Sequence, residues 1–275
     1  QINPKIKKII HENGNVKNLV SESGEKIFGD NYILAAGAIN SNLLIQKSKI
    51  SNKSFIQFHL NLKVVAFHNE NINSENGTMF THQIQEFISD GILFMPTNYT
   101  KDSFLSGIVH LSQNERTRVH KKYSKGAIYV IQIQPEAIGR INFFLGKSFI
   151  SYRLTNADIL KIKKAVKLLL KLLLVSGFKS VILPSKDLKE EFLLDGFNLS
   201  KIDVLKRWEI ISVHSTSANR MGTDTSSSVC NIDGKVHGID NLFVTDSSSL
   251  PSSTGESPQG VIMSNTIRIV EKFIK

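Results

Sequence analysis

Asn241-Leu242-Phe243-Val244-Thr245-Asp246-Ser247-Ser248 is a short apolar run that ends in an acid and two hydroxyls. It has a counterpart near the start of the chain, Asn31-Tyr32-Ile33-Leu34-Ala35-Ala36-Gly37. Each is continuously apolar, too short for a helix and closed by small residues, the pattern of a buried parallel strand. Small residues at a strand end let the backbone approach another group closely. A short helix from Ile39 to Lys47 follows the first run. A Ser/Pro/Gly loop from Ser247 to Glu256 and a last helix, Pro258 to about Phe273, follow the second. Strand, turn and helix at both ends point to an α/β fold whose parallel part is assembled from the two ends of the chain.

Between these ends the pattern changes. Ile6-Lys7-Lys8-Ile9-Ile10 and Val16 to Ser21 flank Asn13-Gly14-Asn15 and read as a β-hairpin. Leu62 to Phe67, Gly91 to Met95, Ser106 to Leu111 and Ala127 to Gln134 read as antiparallel strands. Arg140 to Phe143 and Phe149 to Tyr152 flank a turn at Gly146-Lys147. Asn156 is expected to cap a long helix from Ala157 to Ser176, its apolar face carried by Ile159, Ile162, Val166, Leu169, Leu170 and Leu173. Gly177 stops it. The expected organisation is one part from residues 1–50 and 215–275 and an α+β domain built on an antiparallel sheet over 51–214, which the family resemblance given below makes a dinucleotide-binding and a substrate-binding part.

Composition narrows the function. The 275 residues are 41% hydrophobic and 21% charged, a chain that buries a core rather than a disordered one. The net charge of +10 is scattered lysine, without a basic block interleaved with aromatics. That reads as a solvated surface and not as a nucleic-acid face. Cys230 is the single cysteine, which excludes an internal disulfide and a cysteine-based zinc site. No metal centre is expected. No run of about 18 apolar residues is present, so no spanning helix is expected. The chain starts at Gln1 without a signal-peptide pattern and drops at once into strand-like sequence. It reads as a piece of a longer chain, with a cytoplasmic setting as the expectation.

The chemistry is carried by the end of the chain. His214 stands in Ile210-Ile211-Ser212-Val213-His214-Ser215-Thr216-Ser217-Ala218-Asn219-Arg220-Met221-Gly222. Ser228-Val229, Val236-His237-Gly238, the strand ending at Asp246-Ser247, Leu250-Pro251 and Ser257-Pro258 follow in order. This succession resembles the C-terminal signature of the glucose–methanol–choline (GMC) family of flavin-dependent oxidoreductases. Gly77-Thr78-Met79, His82-Gln83, Glu86-Phe87, Gly139-Arg140-Ile141 and Tyr152-Arg153-Leu154 resemble the branch that acts on long-chain alcohols.

The resemblance implies FAD as cofactor and a small-molecule alcohol as substrate. Hydride moves from the carbinol carbon to the flavin, and a base takes the hydroxyl proton. It places His214 as that base, because a histidine titrates near neutrality, and Ser257 at the position of its partner. It places Ile6 on the adenine-side strand, Ala35, Ala36 and Gly37 near the pyrophosphate, and Asp246 and Ser247 beside the ribityl and phosphate region. Ser257 is expected to cap the last helix, with Pro258 at its first position. The backbone of Pro258, Gln259, Gly260 and Val261 then lies against the flavin, where free N–H groups and the helix dipole stabilise negative charge.

Two departures bear on activity. The family has His or Asn where this chain has Ser257, which is shorter and cannot reach a substrate oxygen in the same way; Glu256 or Asn219 is the candidate helper. Ser217-Ala218 stands where Gly-Thr is usual, with larger side chains that narrow the space beside the flavin. The nucleotide fingerprint Gly-x-Gly-x-x-Gly is not in the sequence. The expectation is therefore a Rossmann-like FAD-binding part lacking its N-terminal fingerprint, in the C-terminal fragment of a longer enzyme. The alternative is a non-catalytic subunit or decayed remnant that needs an N-terminal half or partner chain to bind FAD.

Overall fold

A computed structural model describes residues 4–78, 81–97, 99–144 and 147–274. Its strands and helices run β1 (Ile6–Glu12), β2 (Asn15–Ser21), β3 (Lys26–Ile27), β4 (Tyr32–Leu34), α1 (Ala38–Lys47), β5 (Gln57–Phe58), β6 (Leu60–Phe67) and β7 (Ile92–Thr97). Then come α2 (Lys101–Gly107), α3 (Gln113–His120), β8 (Gly126–Ile133), β9 (Arg140–Phe144), β10 (Lys147–Ser151) and α4 (Asn156–Val175). The chain ends with β11 (Ser180–Ile182), β12 (Phe192–Leu193), β13 (Ser215–Thr216), β14 (Leu242–Val244) and α5 (Gln259–Ile274). Two compact units share this order. Unit 1 is Gln1–Phe58, Glu136–Leu154 and Val213–Lys275; unit 2 is His59–Pro135 and Thr155–Ser212.

In unit 1 the two apolar runs quoted above do pair. β4 and β14 lie side by side, parallel, with Leu242 opposite Tyr32 and Val244 opposite Leu34. Leu242 and Val244 are buried with Ile9, Val16, Tyr32, Leu34 and Ile45 in one apolar cluster. Asn241 locks this pair to the hairpin. Its Oδ1 accepts from the Val16 N–H at 2.7 Å, and its Nδ2 donates to the carbonyls of Val16 and Asp30. The hairpin forms as expected, with positive φ at both Asn13 and Gly14, and β3 extends it to three antiparallel strands. The β9–β10 pair packs within unit 1, although its sequence falls inside the 51–214 span. Its anchor is Ile141, buried with Ala38, Leu43, Ile56 and Ala218. Gly146, read as part of its turn, lies outside the described residues, as does Met79.

Unit 2 is a five-stranded antiparallel sheet in the order β12-β11-β6-β8-β7. Helix α4 buries Ile162, Ala165, Val166, Leu169, Leu170 and Leu173, a 3.6-residue stripe. Its cap is Thr155 rather than Asn156. Thr155 Oγ1 accepts the Asp158 N–H, and the Asp158 carboxylate accepts the Thr155 N–H. This reciprocal box satisfies two donors at once, which a cap at Asn156 would not.

Ser106 to Leu111 is not a strand. Its first two residues end α2, and a turn follows. Thr100 and Ser112 accept the N–H of Ser103 and Glu115 and so start α2 and α3. These local caps win over the short apolar run.

Candidate active site

The small-residue end of β4 is held by one acid. Asp246, just beyond β14, is buried and accepts four hydrogen bonds. Oδ2 takes the Gly37 N–H at 2.9 Å and the Ser41 hydroxyl; Oδ1 takes the Ser248 N–H at 2.8 Å and the Ser248 hydroxyl. The side chain therefore bridges the end of β4, the first turn of α1 and the loop after β14. Its oxygens are spent inside the protein, so it acts as a strap and not as an outward ligand. Around it Ala35 and Ala36 are exposed. Gly37 has φ +81° and nothing within 4 Å of where a Cβ would sit. That leaves an open ledge on which a ligand could approach the backbone.

His214 precedes β13, which pairs with β5 through Ser215 opposite Phe58. The loop after it is laced to the loop after Asp246. The N–H groups of Ser217, Asn219 and Met221 donate to the carbonyls of Ser247, Ser248 and Ser249 in turn. Thus Ser247 joins the histidine segment to the strand end through its backbone. His214 is half-buried, and burial lowers its pKa from the ordinary histidine value. The ring is neutral at pH 7, able to accept a proton. Ser217 has φ +67°, a left-handed conformation in which glycine is at ease and serine is strained.

Asn219 is buried, and both ends of its amide are used. Nδ2 donates to Ser248 Oγ at 3.0 Å, and Oδ1 accepts from Asn42 Nδ2 at 2.9 Å. It is a brace between α1 and the Ser248 loop, which removes it as a helper for the histidine. Asn42 and Gln57, whose Oε1 accepts the Ser253 N–H at 3.1 Å, belong to the same buried polar frame. The sequence carries no motif for either; only their burial reveals them.

Helix α5 begins at Gln259. The Pro258 carbonyl accepts the Ile262 N–H at 2.8 Å, so Pro258 and not Ser257 stands at the N-cap position. Proline serves there because the bond needs only its carbonyl. Ser257, Glu256, Gln259, Gly260 and Val261 are exposed. A Cβ at Gly260 would meet nothing within 4 Å. The helix is fastened below this turn, where Asn265 Nδ2 donates to Ser249 Oγ at 3.0 Å and Thr266 Oγ1 to the Thr245 carbonyl. Ile6 opens β1, opposite Ser21.

Unit 2 adds a polar pair that the sequence did not signal. Asn61 on β6 and Gln132 on β8 are opposite neighbours, both buried. Their side-chain oxygens find no donor among the described residues. Buried acceptors of this kind call for a donor. Among the described residues no cluster of three or more His, Cys, Asp or Glu is placed to hold a metal ion. None of their helices is long and apolar enough to cross a membrane.

Residues 148–266, from β10 through most of α5, match the family model described as GMC oxidoreductase. An uncharacterized GMC-type oxidoreductase of Sinorhizobium fredii is 22% identical over 86% of the chain and 48% of its own length. One from Mycobacterium tuberculosis is 22% identical over 90% of the chain and 40% of its own length. The chain thus spans less than half of these relatives. Among solved structures, a pyridoxine 4-oxidase from Mesorbium loti superposes with a TM-score of 0.67 at 16% identity, over 98% of the chain and 56% of that protein. An FAD-dependent oxidoreductase from Chaetomium thermophilum gives 0.62 at 14%, over 97% and 60%. At these identities the likeness concerns the fold. It is mixed α/β with antiparallel sheets, as the sequence implied.

Proposed function

We propose that this chain is the C-terminal portion of an FAD-dependent oxidoreductase that oxidises the CH–OH group of an alcohol, with His214 as base. The observation that carries the reading is His214 itself: half-buried, its pKa lowered by burial, within a region that matches the GMC oxidoreductases. FAD, when bound, accepts the hydride from the carbinol carbon. His214 takes the hydroxyl proton, for which a neutral ring is required. The residues present fit such a cofactor. The open ledge at Ala35, Ala36 and Gly37 suits a pyrophosphate, and the family resemblance assigns Ile6, at the start of β1, to the adenine side. The exposed first turn of α5, Gln259, Gly260 and Val261 after Pro258, offers N–H groups and the positive end of a 16-residue helix to negative charge. Asp246 holds the ledge to α1 and the Ser248 loop, and the Ser247 carbonyl ties the segment after His214 to the same loop.

Unit 1 is then the dinucleotide part and unit 2 the substrate part. The segments from Gly77 to Phe87 and from Gly139 to Leu154 favour a long-chain alcohol. In the complete protein, His214→Ala is expected to abolish anaerobic flavin reduction by substrate and to leave flavin bound. Undiminished reduction overturns the assignment.

Exposed Ser257 favours a second reading, a non-catalytic subunit that binds FAD only with an N-terminal partner. Flavin absorbance of the purified chain, with and without a co-expressed N-terminal piece, separates the two when turnover is measured alongside. Bound flavin that substrate does not reduce supports the second.

A further inference from the structure

Beside β9 and β10, unit 1 has two adjoining cavities of about 590 and 470 Å³ that share Gln46, Asn52 and Lys53. Lys53 and Arg140 line the larger and Lys49 the smaller. Lys47 stands at the same edge, its Nζ 4.9 Å from the centre of the Phe143 ring. No carboxylate lines either cavity. Among the described residues none of these four cations makes an ion pair, unlike lysines such as Lys122, Lys164 and Lys167 in unit 2. Asp224 feels the charge of Lys53, and its carboxylate already accepts from Ser226 and Ser227.

The same rim is apolar. Phe143 and Phe149 line the larger cavity and are 39% and 55% exposed; Ile150, next to Phe149, is 39% exposed. Large apolar side chains left in water on one strand pair, ringed by unneutralised cations, are costly unless something covers them. A solvated lysine face would not need the phenylalanines, and a protein interface core is depleted of lysine. A bilayer supplies both complements: acyl chains for the rings and anionic headgroups for the cations.

We propose that the β9–β10 pair and the adjoining loop 49–54 form a peripheral docking surface for an anionic lipid bilayer. Phosphate or carboxylate headgroups sit against Lys49, Lys53 and Arg140, while Phe149, on the strand face opposite to that of buried Ile141, enters the headgroup–acyl boundary. The proposal is independent of flavin chemistry and needs no spanning helix.

The test is co-sedimentation of the full-length protein with vesicles of phosphatidylcholine alone, and of phosphatidylcholine with phosphatidylserine in about 7:3 ratio. Binding to the anionic vesicles only, weakening with salt, is the expected result. Lys49→Gln and Arg140→Gln each lower the partition coefficient about five-fold, and Phe149→Ser about ten-fold. Lys171→Gln, on α4, changes it far less. Far-UV circular dichroism checks that each variant is folded.

Equal binding to both vesicles, no binding to either, or binding insensitive to the three variants overturns the proposal. So does competition by inorganic phosphate beyond that of chloride at equal ionic strength, which would mark a free-anion site. Self-association in sedimentation velocity that Phe149→Ser abolishes would assign the patch to a second copy of the chain and overturn it as well.

Discussion

Removing the Asp246 carboxylate tests the claim that the parallel strand ends are held by one strap. Four donors converge on it: two backbone N–H groups, of Gly37 and Ser248, and the hydroxyls of Ser41 and Ser248. The hydroxyls can rotate to other acceptors, but the N–H groups cannot re-aim. A buried donor left unsatisfied costs about 1–3 kcal/mol. Asp246→Ala strands both N–H groups and is expected to cost about 3–5 kcal/mol. Asp246→Asn keeps the shape and one acceptor oxygen, so one N–H group faces the new amide NH2. Its expected cost is about 2–3 kcal/mol. Ser41→Ala removes one hydroxyl bond and should cost about 1 kcal/mol. Urea unfolding followed by far-UV circular dichroism measures the order of the three. Amide hydrogen exchange at Gly37 and Ser248 reads the site directly, with protection lost in Asp246→Ala and partly kept in Asp246→Asn. Unchanged protection at both amides in Asp246→Ala would refute the reasoning, because the carboxylate would then not be what satisfies them.

Two further predictions concern the histidine segment. Ser217 carries a left-handed backbone that costs about 1–2 kcal/mol for an L side chain; Ser217→Gly relieves it, offset by about 0.5–1 kcal/mol of chain entropy. Ser217→Gly is thus expected to be at least as stable as the natural chain and about 1 kcal/mol more stable than Ser217→Ala, and thermal unfolding giving the reverse order would contradict the assigned backbone. His214 should titrate below the ordinary histidine midpoint of about 6.5, as seen by its ring resonances in NMR. Because its folded pKa is depressed, the folded state binds fewer protons than the unfolded one below that midpoint. The His214 contribution to stability is whole above the unfolded pKa and declines as pH falls towards the folded one; a midpoint above 6.5 would count against burial as the cause.

Much of this protein was legible without coordinates because the deciding signals are local. Continuous apolar runs closed by small residues identify buried parallel strands, and Asn13-Gly14 specifies a hairpin turn by its φ requirements alone. Heptad-like spacing from Ile162 to Leu173 marks one face of a helix. The order of residues from His214 to Pro258 points to the family without reference to any contact. Helix starts were less legible. Thr155, Ser112 and Thr100 compete with neighbouring polar residues, and which of them caps depends on where the chain enters the helix. Ser106 to Leu111 failed for a related reason: a six-residue apolar stretch fits strand and helix end alike.

Tertiary structure alone decided the rest. The register of β4 on β14, with Tyr32 opposite Leu242, follows from burying both against the β1–β2 hairpin, with Asn241 as the pin. The packing of β9 and β10 in unit 1 comes from the place Ile141 finds among Ala38, Leu43 and Ile56. The sequence by itself determined which side chains have the chemistry for a site: a histidine, a small-residue strand end, and the first turn of a helix. It could not tell an acid that faces a ligand from one consumed within the protein. Asp246 is the latter, because four donors from three segments meet on it, and only the folded chain brings those donors together.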